Sequence, residues 1–318
     1  MSSTSSFQHP SGPLVVLVGP TAVGKTETAI RLAERLDAEI VSADSRLFYR
    51  TMDIGTAKPT PAEMARVPHH LIDVADPDQV WSLALFQQEA QRAIAGIHAR
   101  SRLPLLVGGT GQYVRAVIEG WSPPPAAPDT RLRDALAAWA HEITPDGLHA
   151  RLAQLDPAAA AAIDPRNVRR TVRALEVILA TGRRFSDQRR RSASPYRLLV
   201  LGLTRPRDEL YARVDARIAA MFAAGFVDEV RALLAGGYAP DLPTLSAIGY
   251  QQVCAYLQGQ MTLDDVIVEM KRLTRQFVRR QANWFKASDP QIHWFTAGAK
   301  TVDEMEALCR EWLKRERD

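Results

Sequence analysis

The stretch LVVLVGPTAVGKTETAIRLAERL, residues 14–36, constrains this chain more than any other. An apolar run ends at Gly19 and an amphipathic pattern starts at Lys25. Between them Gly19, Pro20, Thr21, Ala22, Val23, Gly24, Lys25 and Thr26 satisfy G-x-x-x-x-G-K-[ST]. Glycines let successive backbone N–H groups turn inward, forming a concave nest at the positive end of a helix that selects phosphate. Lys25 supplies a point charge for phosphate oxygens, and the Thr26 hydroxyl is placed to ligate Mg2+. Such a strand–loop–helix needs a parallel sheet around it, and further apolar runs supply one: EIVSA at 39–43, HHLIDV at 69–74, LPLLVGG at 103–109 and YRLLVLGL at 196–203. They alternate with helical patterns such as 82–100, where Leu85, Ala93 and Ile97 fall at helical spacing. The fold expected is α/β: a P-loop NTPase-like parallel sheet flanked by helices.

At WSPPPAAPDT, 121–130, prolines interrupt that pattern, and from Arg131 to about Arg191 the chain is Ala- and Arg-rich with helical periodicity and no convincing strand. The sheet pattern resumes at Tyr196. The expected organisation is a disordered leader at 1–12, a core of 13–120 with 196–318, and an all-helical insertion at 121–195. Beyond Arg207 the sequence predicts helices and one strand, IHWFT at 292–296. Hydrophobic content of 46% and charged content of 24% are those of a soluble globular protein. Cys254 and Cys309 stand far apart and outside metal-ligand spacing, which argues against a disulfide framework or zinc site and fits a reduced cytoplasm. No apolar run nears the ~20 residues that cross a bilayer. No membrane association or obligate protein partner is expected, and a monomer is assumed.

The loop alone does not say whose phosphate it holds. A kinase or NTPase would pair it with an apolar strand ending in a Walker-B aspartate. LPLLVGGTG instead ends in glycines and Thr110. The strand that does deliver a carboxylate is EIVSADS, with Asp44 and Ser45 at its end. Because C-terminal strand ends line the ligand crevice of a parallel sheet, Asp44 is expected near the loop, as a metal ligand, a general base or a turn former.

GPTAVGKT, VSADSRLFYRTMDIGTAKP (41–59), LVGGTGQYVRAVIEG (106–120) and VRRTVRALEVILATGRRFS (168–186) together resemble the tRNA dimethylallyltransferase family, also called tRNA isopentenyltransferases, in order and spacing over nearly the whole chain. MDIGTAKP and RALEV carry more of the likeness than the loop, although neither has a physical reading of its own. The resemblance implies that the loop holds the diphosphate of dimethylallyl diphosphate. The dimethylallyl group would pass to N6 of the adenosine just 3′ of the anticodon, in tRNAs reading codons that begin with U. It implies Asp44 as catalytic base, Thr21 and Lys25 as partners in catalysis, and Arg213 and Arg217, four apart on a helix, as further diphosphate contacts.

For RNA, ten arginines between Arg166 and Arg197 face only Glu176 and Asp187, a lopsided charge that suits a stem backbone. The resemblance makes the insertion the clasp of the tRNA anticodon stem-loop. It also implies tRNA contacts at Asp44, Ser45, Arg46 and Leu47; at Thr110 and Arg131; and at Arg169, Arg170, Thr171, Val172 and Arg173. Two further segments join them: Ser246, Ala247, Ile248, Gly249, Tyr250 and Gln251, then Arg279, Arg280, Gln281, Ala282, Asn283, Trp284, Phe285 and Lys286. Around the basic element 270–286, Val266, Met270, Leu273, Phe277 and Trp284 form the expected core stripe, and Lys271, Arg275 and Arg279 a stripe for phosphates. The chain departs from many relatives in having Leu47-Phe48 where a Gln and an aliphatic residue are common, Asn283 for Thr, and Ser246 for Arg. Rival readings are an adenylate isopentenyltransferase acting on free AMP, ADP or ATP, a P-loop small-molecule kinase, and a non-catalytic RNA-binding module.

Overall fold

In the computed structural model, residues 12–122, 129–188, 190–191 and 194–315 are described; the expected leader, apart from Gly12, and most of the proline-rich linker lie outside them. The chain divides into two compact units, Met1–Ile118 with Ser194–Asp318, and Glu119–Ala193.

The first unit runs β1 (Pro13–Val18), α1 (Lys25–Leu36), β2 (Ala38–Ser42), α2 (Pro61–Arg66), β3 (His69–His70), α3 (Leu83–Ala99), β4 (Leu103–Gly108) and α4 (Gly111–Ile118). The second unit contributes β5 (Trp121–Ser122), α5 (Thr130–Leu155), α6 (Pro157–Ala161), α7 (Val168–Thr181), α8 (Phe185–Gln188) and β6 (Arg190–Arg191). The first unit then resumes with β7 (Arg197–Thr204), α9 (Arg207–Ala223), α10 (Phe226–Ala235), α11 (Tyr250–Leu257), α12 (Leu263–Gln281), β8 (Ile292–Thr296) and α13 (Thr301–Lys314).

Six strands pair in parallel in the order β3-β2-β4-β1-β7-β8. Val15 of β1 sits opposite Leu105 on one side and Leu199 on the other, which places β1 inside the sheet. Leu14 through Val18 are wholly buried, so β1 reads as an unbroken apolar run rather than an alternation. The C-terminal ends of β1, β2, β4 and β7 all open on one edge, where the phosphate loop lies.

Two expectations need correction. The strand expected over 69–74 is only His69–His70. Leu71 and Asp73 adopt φ of 62° and 55°, a left-handed backbone that cannot continue a ladder, and the Asp73 carboxylate is drawn to Lys58. In α3, capped by Ser82, the face against the core is Phe86, Ala90, Ile94 and Ile97, so Leu85 and Ala93 flank the stripe rather than define it.

Among its described residues the second unit is helical apart from a two-residue antiparallel pair, Trp121 opposite Arg191, where the sequence shows no strand signal. Its own core gathers Leu136, Leu148, Leu152, Val172, Leu175 and Val177. RALEV acquires a physical meaning here. Glu176 is fully buried, and its carboxylate accepts the Asp129 N–H at 2.8 Å, Arg133 Nε at 2.9 Å and Arg173 Nη1 at 2.8 Å. Burial pushes the pKa of this carboxyl up, but the three bonds together outweigh it and hold it below the ordinary glutamate range. Removing one partner of a buried ion pair leaves charge uncompensated, so Glu176→Ala is expected to destabilise this unit by about 2–3 kcal/mol. Limited proteolysis within 129–188 at increasing temperature checks this, and a cleavage profile like that of wild type would refute it.

Candidate active site

Gly24 takes φ of +109°, a conformation that favours glycine, and caps α1. This turn aims the first helical N–H groups into the loop. Lys25 folds back over it, its ammonium donating to the carbonyls of Gly19 at 2.9 Å and Pro20 at 2.8 Å. Two guanidinium groups brace the loop: Arg213 Nε donates to Ala22 O at 2.8 Å and Arg205 Nε to Val23 O at 2.9 Å. Arg217, one turn along α9 from Arg213, donates to the Thr56 carbonyl at 3.3 Å. Sequence reasoning missed Arg205. The available signal was its place directly after β7, on the edge where the loop lies.

Asp44 follows β2, where strand order predicts it. Its Oδ1 accepts the Arg46 N–H at 3.1 Å, a turn that fixes the carboxyl at the strand end. Lys25, Thr26, Ser42, Asp44 and Leu47 line a common cleft whose walls are otherwise largely apolar. Burial pushes the Lys25 ammonium down to about 8, opposed by the Asp44 carboxylate and assisted by Arg217. Burial also lowers Arg217, again against Asp44. Asp44 therefore faces two cations held in a poorly solvated place.

The end of β4 explains why no Walker-B aspartate stands there. A Cβ on Gly108 would lie 2.6 Å from the Ala43 carbonyl, and one on Gly109 would overlap the Gln281 amide. Side chains are excluded at both positions.

MDIGTAKP forms the wall behind Arg217. Glu229 accepts the N–H groups of Asp53 at 2.9 Å, Ile54 at 2.7 Å and Gly55 at 3.1 Å, and the Tyr250 hydroxyl at 2.6 Å. Gly55 lies flat on Phe226 and Tyr250, where any Cβ would collide. The buried Lys58 ammonium donates to the Tyr49 carbonyl at 2.8 Å and pairs with Asp53 and Asp73. So clamped, the segment presents the Thr56 carbonyl to Arg217.

The positions expected to meet tRNA divide by exposure. Ser45, Arg46, Leu47 and Thr110 are half-buried near Asp44 and the β4 end, with Arg46 Nη1 donating to Thr244 O at 3.2 Å. Ser246, Gln251, Arg279, Arg280, Ala282, Asn283 and Lys286 are exposed. Ala247, Gly249, Tyr250, Gln281 and Phe285 are buried, and Ile248 is half-buried. Trp284 covers Gly111, and its carbonyl accepts Arg115 Nη2 at 2.7 Å. In the second unit Arg131, Arg169 and Arg170 are exposed, Thr171 and Val172 face its core, and Arg173 is bound to Glu176. Arg275 is not in a free stripe: it pairs with Asp215 at 2.6 Å over the Tyr211 ring. Phe48 is wholly buried among Trp81, Phe86 and Tyr113.

A family model described as IPP transferase matches residues 47–288, and one described as isopentenyl transferase matches 13–74. The chain is 52% identical over 302 residues to a tRNA dimethylallyltransferase of Roseiflexus sp. (strain RS-1), covering 95% of this chain and 99% of that one. The chain belongs to the tRNA dimethylallyltransferase family. A second member, from Roseiflexus castenholzii, is 56% identical over 94% of this chain and 98% of its own. Among solved structures, the full-length tRNA isopentenylpyrophosphate transferase of Bacillus halodurans superposes with a TM-score of 0.72 at 42% identity, over 96% of this chain and 98% of that one. A eukaryotic dimethylallyltransferase acting on tRNA gives 0.77 at 25% identity, over 96% and 80%. Membership in this tRNA dimethylallyltransferase family makes the chain a prenyl-transferring enzyme with a P-loop-like α/β core. Among the described residues, no helix is long and apolar enough to cross a membrane.

Proposed function

We propose that the chain transfers the dimethylallyl group of dimethylallyl diphosphate to N6 of the adenosine 3′ of the anticodon, in tRNAs reading codons that begin with U, and releases diphosphate. The observation that carries this is a phosphate loop facing a strand-end carboxylate, Asp44, with the usual Walker-B position closed by Gly108 and Gly109. Lys25, Arg213, Arg217 and the loop amides hold the diphosphate. As the bond from prenyl C1 to its bridging oxygen breaks, negative charge grows on the leaving group, and these fixed cations stabilise it. The N6 lone pair is conjugated into the purine, so the amine attacks weakly. Asp44 takes the N6 proton as the N6–C1 bond forms.

Thr26, Ser42 and Asp44 offer oxygen donors only, a hard set that fits Mg2+. Among the described residues no three His, Cys, Asp or Glu side chains gather as a metal cage, so diphosphate oxygens and water would complete the shell. When bound, the ion supplies charge neutralisation at the leaving group. Thr26 is the residue we assign to hold it.

The acceptor is an RNA loop base, which must leave its stack to reach a buried centre. The exposed Arg131, Arg169 and Arg170 of the helical unit and the exposed Arg279, Arg280 and Lys286 supply charge for phosphates. Replacing Arg169 and Arg170 with alanine is expected to weaken tRNA binding and make the log–log salt slope shallower by about 1–2, with turnover at saturating tRNA nearly intact. Filter binding from low to high salt measures this, and an unchanged slope contradicts it.

The function itself is tested by incubating labelled dimethylallyl diphosphate with tRNA lacking the modification, or with AMP. Label on the tRNA adenosine is the expected result. Label on AMP alone would make the chain an adenylate isopentenyltransferase.

A further inference from the structure

Gln281 occupies a place that an RNA contact does not explain. It is the last residue of α12 and is buried, with 6% of its surface exposed. Its Oε1 accepts the Thr21 N–H at 2.8 Å, and its Nε2 donates to the Gly109 carbonyl at 3.0 Å. Both ends of the amide are thus committed to the phosphate side of the sheet.

The Thr21 N–H and the Pro20 carbonyl belong to one planar peptide unit and point to opposite sides of it. Gln281 holds the N–H; the Lys25 ammonium donates to the carbonyl at 2.8 Å. Fixing one side of the plane fixes the other. Gly109 makes room for this arrangement, since a Cβ there would overlap Gln281 Nε2 and would lie 3.4 Å from Lys25 Nζ. Two residues beyond Pro20, the Ala22 carbonyl is the one that Arg213 braces.

We propose that Gln281 is a positioning residue of the donor site, which sets the place of the Lys25 ammonium by orienting the Pro20–Thr21 peptide and does not read RNA. This rests on the transfer reaction proposed above.

The test is steady-state transfer from dimethylallyl diphosphate to unmodified tRNA, with tRNA affinity measured separately. Gln281→Ala is expected to raise the donor KM roughly tenfold through loss of the two bonds, leaving the tRNA Kd unchanged. Gly109→Ala should reproduce that donor defect with Gln281 intact, by displacing its amide. In the double variant the two defects should be less than additive, because the displaced amide is no longer there. Gln281→Glu keeps an acceptor for Thr21 and adds negative charge beside Lys25, so the alkaline limb of the kcat/KM profile should move to higher pH. A weakened tRNA Kd in Gln281→Ala, or a donor KM like that of wild type in both single variants, overturns the proposal. Wild-type protein that fails to modify tRNA at all defeats the proposed function instead.

Discussion

Asp44→Ala is expected to slow prenyl transfer by roughly 10²–10⁴-fold, the loss that follows removal of a general base, while tRNA affinity stays nearly unchanged. The reason lies in the acceptor. An exocyclic adenine amine becomes a competent nucleophile only as its proton departs, and Asp44 is the carboxylate that shares the cleft with Lys25 and Thr26. Asp44→Asn separates chemistry from architecture. The amide oxygen can still accept the Arg46 N–H that Asp44 Oδ1 now accepts at 3.1 Å, so the strand-end turn survives without a base. Both variants should therefore lose the transfer step alike. Single-turnover kinetics with saturating tRNA and donor isolate that step, and a transfer rate equal to wild type in Asp44→Asn would remove Asp44 from the base role.

What the sequence disclosed, and what it withheld, follows from distance along the chain. The phosphate loop is a local device: its glycines, lysine and helix start lie within eight residues, and an apolar strand precedes them. Asp44 was legible because strand ends in a parallel sheet share an edge. The strand at 69–74 was misjudged because an apolar pattern cannot reveal the left-handed backbone of Leu71 and Asp73. The MDIGTAKP and RALEV segments carried family likeness without a physical reading, since each is explained by one carboxylate: Glu229, 174–176 residues away from the backbone it clamps, and Glu176, which reaches back to Asp129 and Arg133. Gln281 lies 260 residues from Thr21. In the sequence its neighbours, Arg279 and Arg280, suggest RNA for the whole segment, whereas burial sets Gln281 apart from them.

Lys25→Met should lower kcat/KM by about 10²–10³-fold, the usual loss when one fixed donor to developing negative charge is removed. Its pH signature distinguishes this from simple damage to the loop. Burial drives the Lys25 ammonium from 10.5 down to about 8, with Asp44 opposing the shift. The folded value lies below the unfolded one, so the cost of burying the charge is fully present below pH 8. It is relieved as pH rises from 8 towards 10.5, where the unfolded chain holds more protons than the folded one. Activity runs the other way, because only the charged form attracts diphosphate. In the free enzyme kcat/KM should fall about tenfold per unit above pH 8, whereas bound diphosphate favours the ammonium and carries the kcat limb to higher pH. Asp44→Ala removes the opposing charge, so its kcat/KM limb should move below that of wild type. Lys25→Met should be flat across the same range. An alkaline limb that persists near pH 8 in the Lys25→Met profile would assign it to another group and deny the ammonium its part in holding the leaving group.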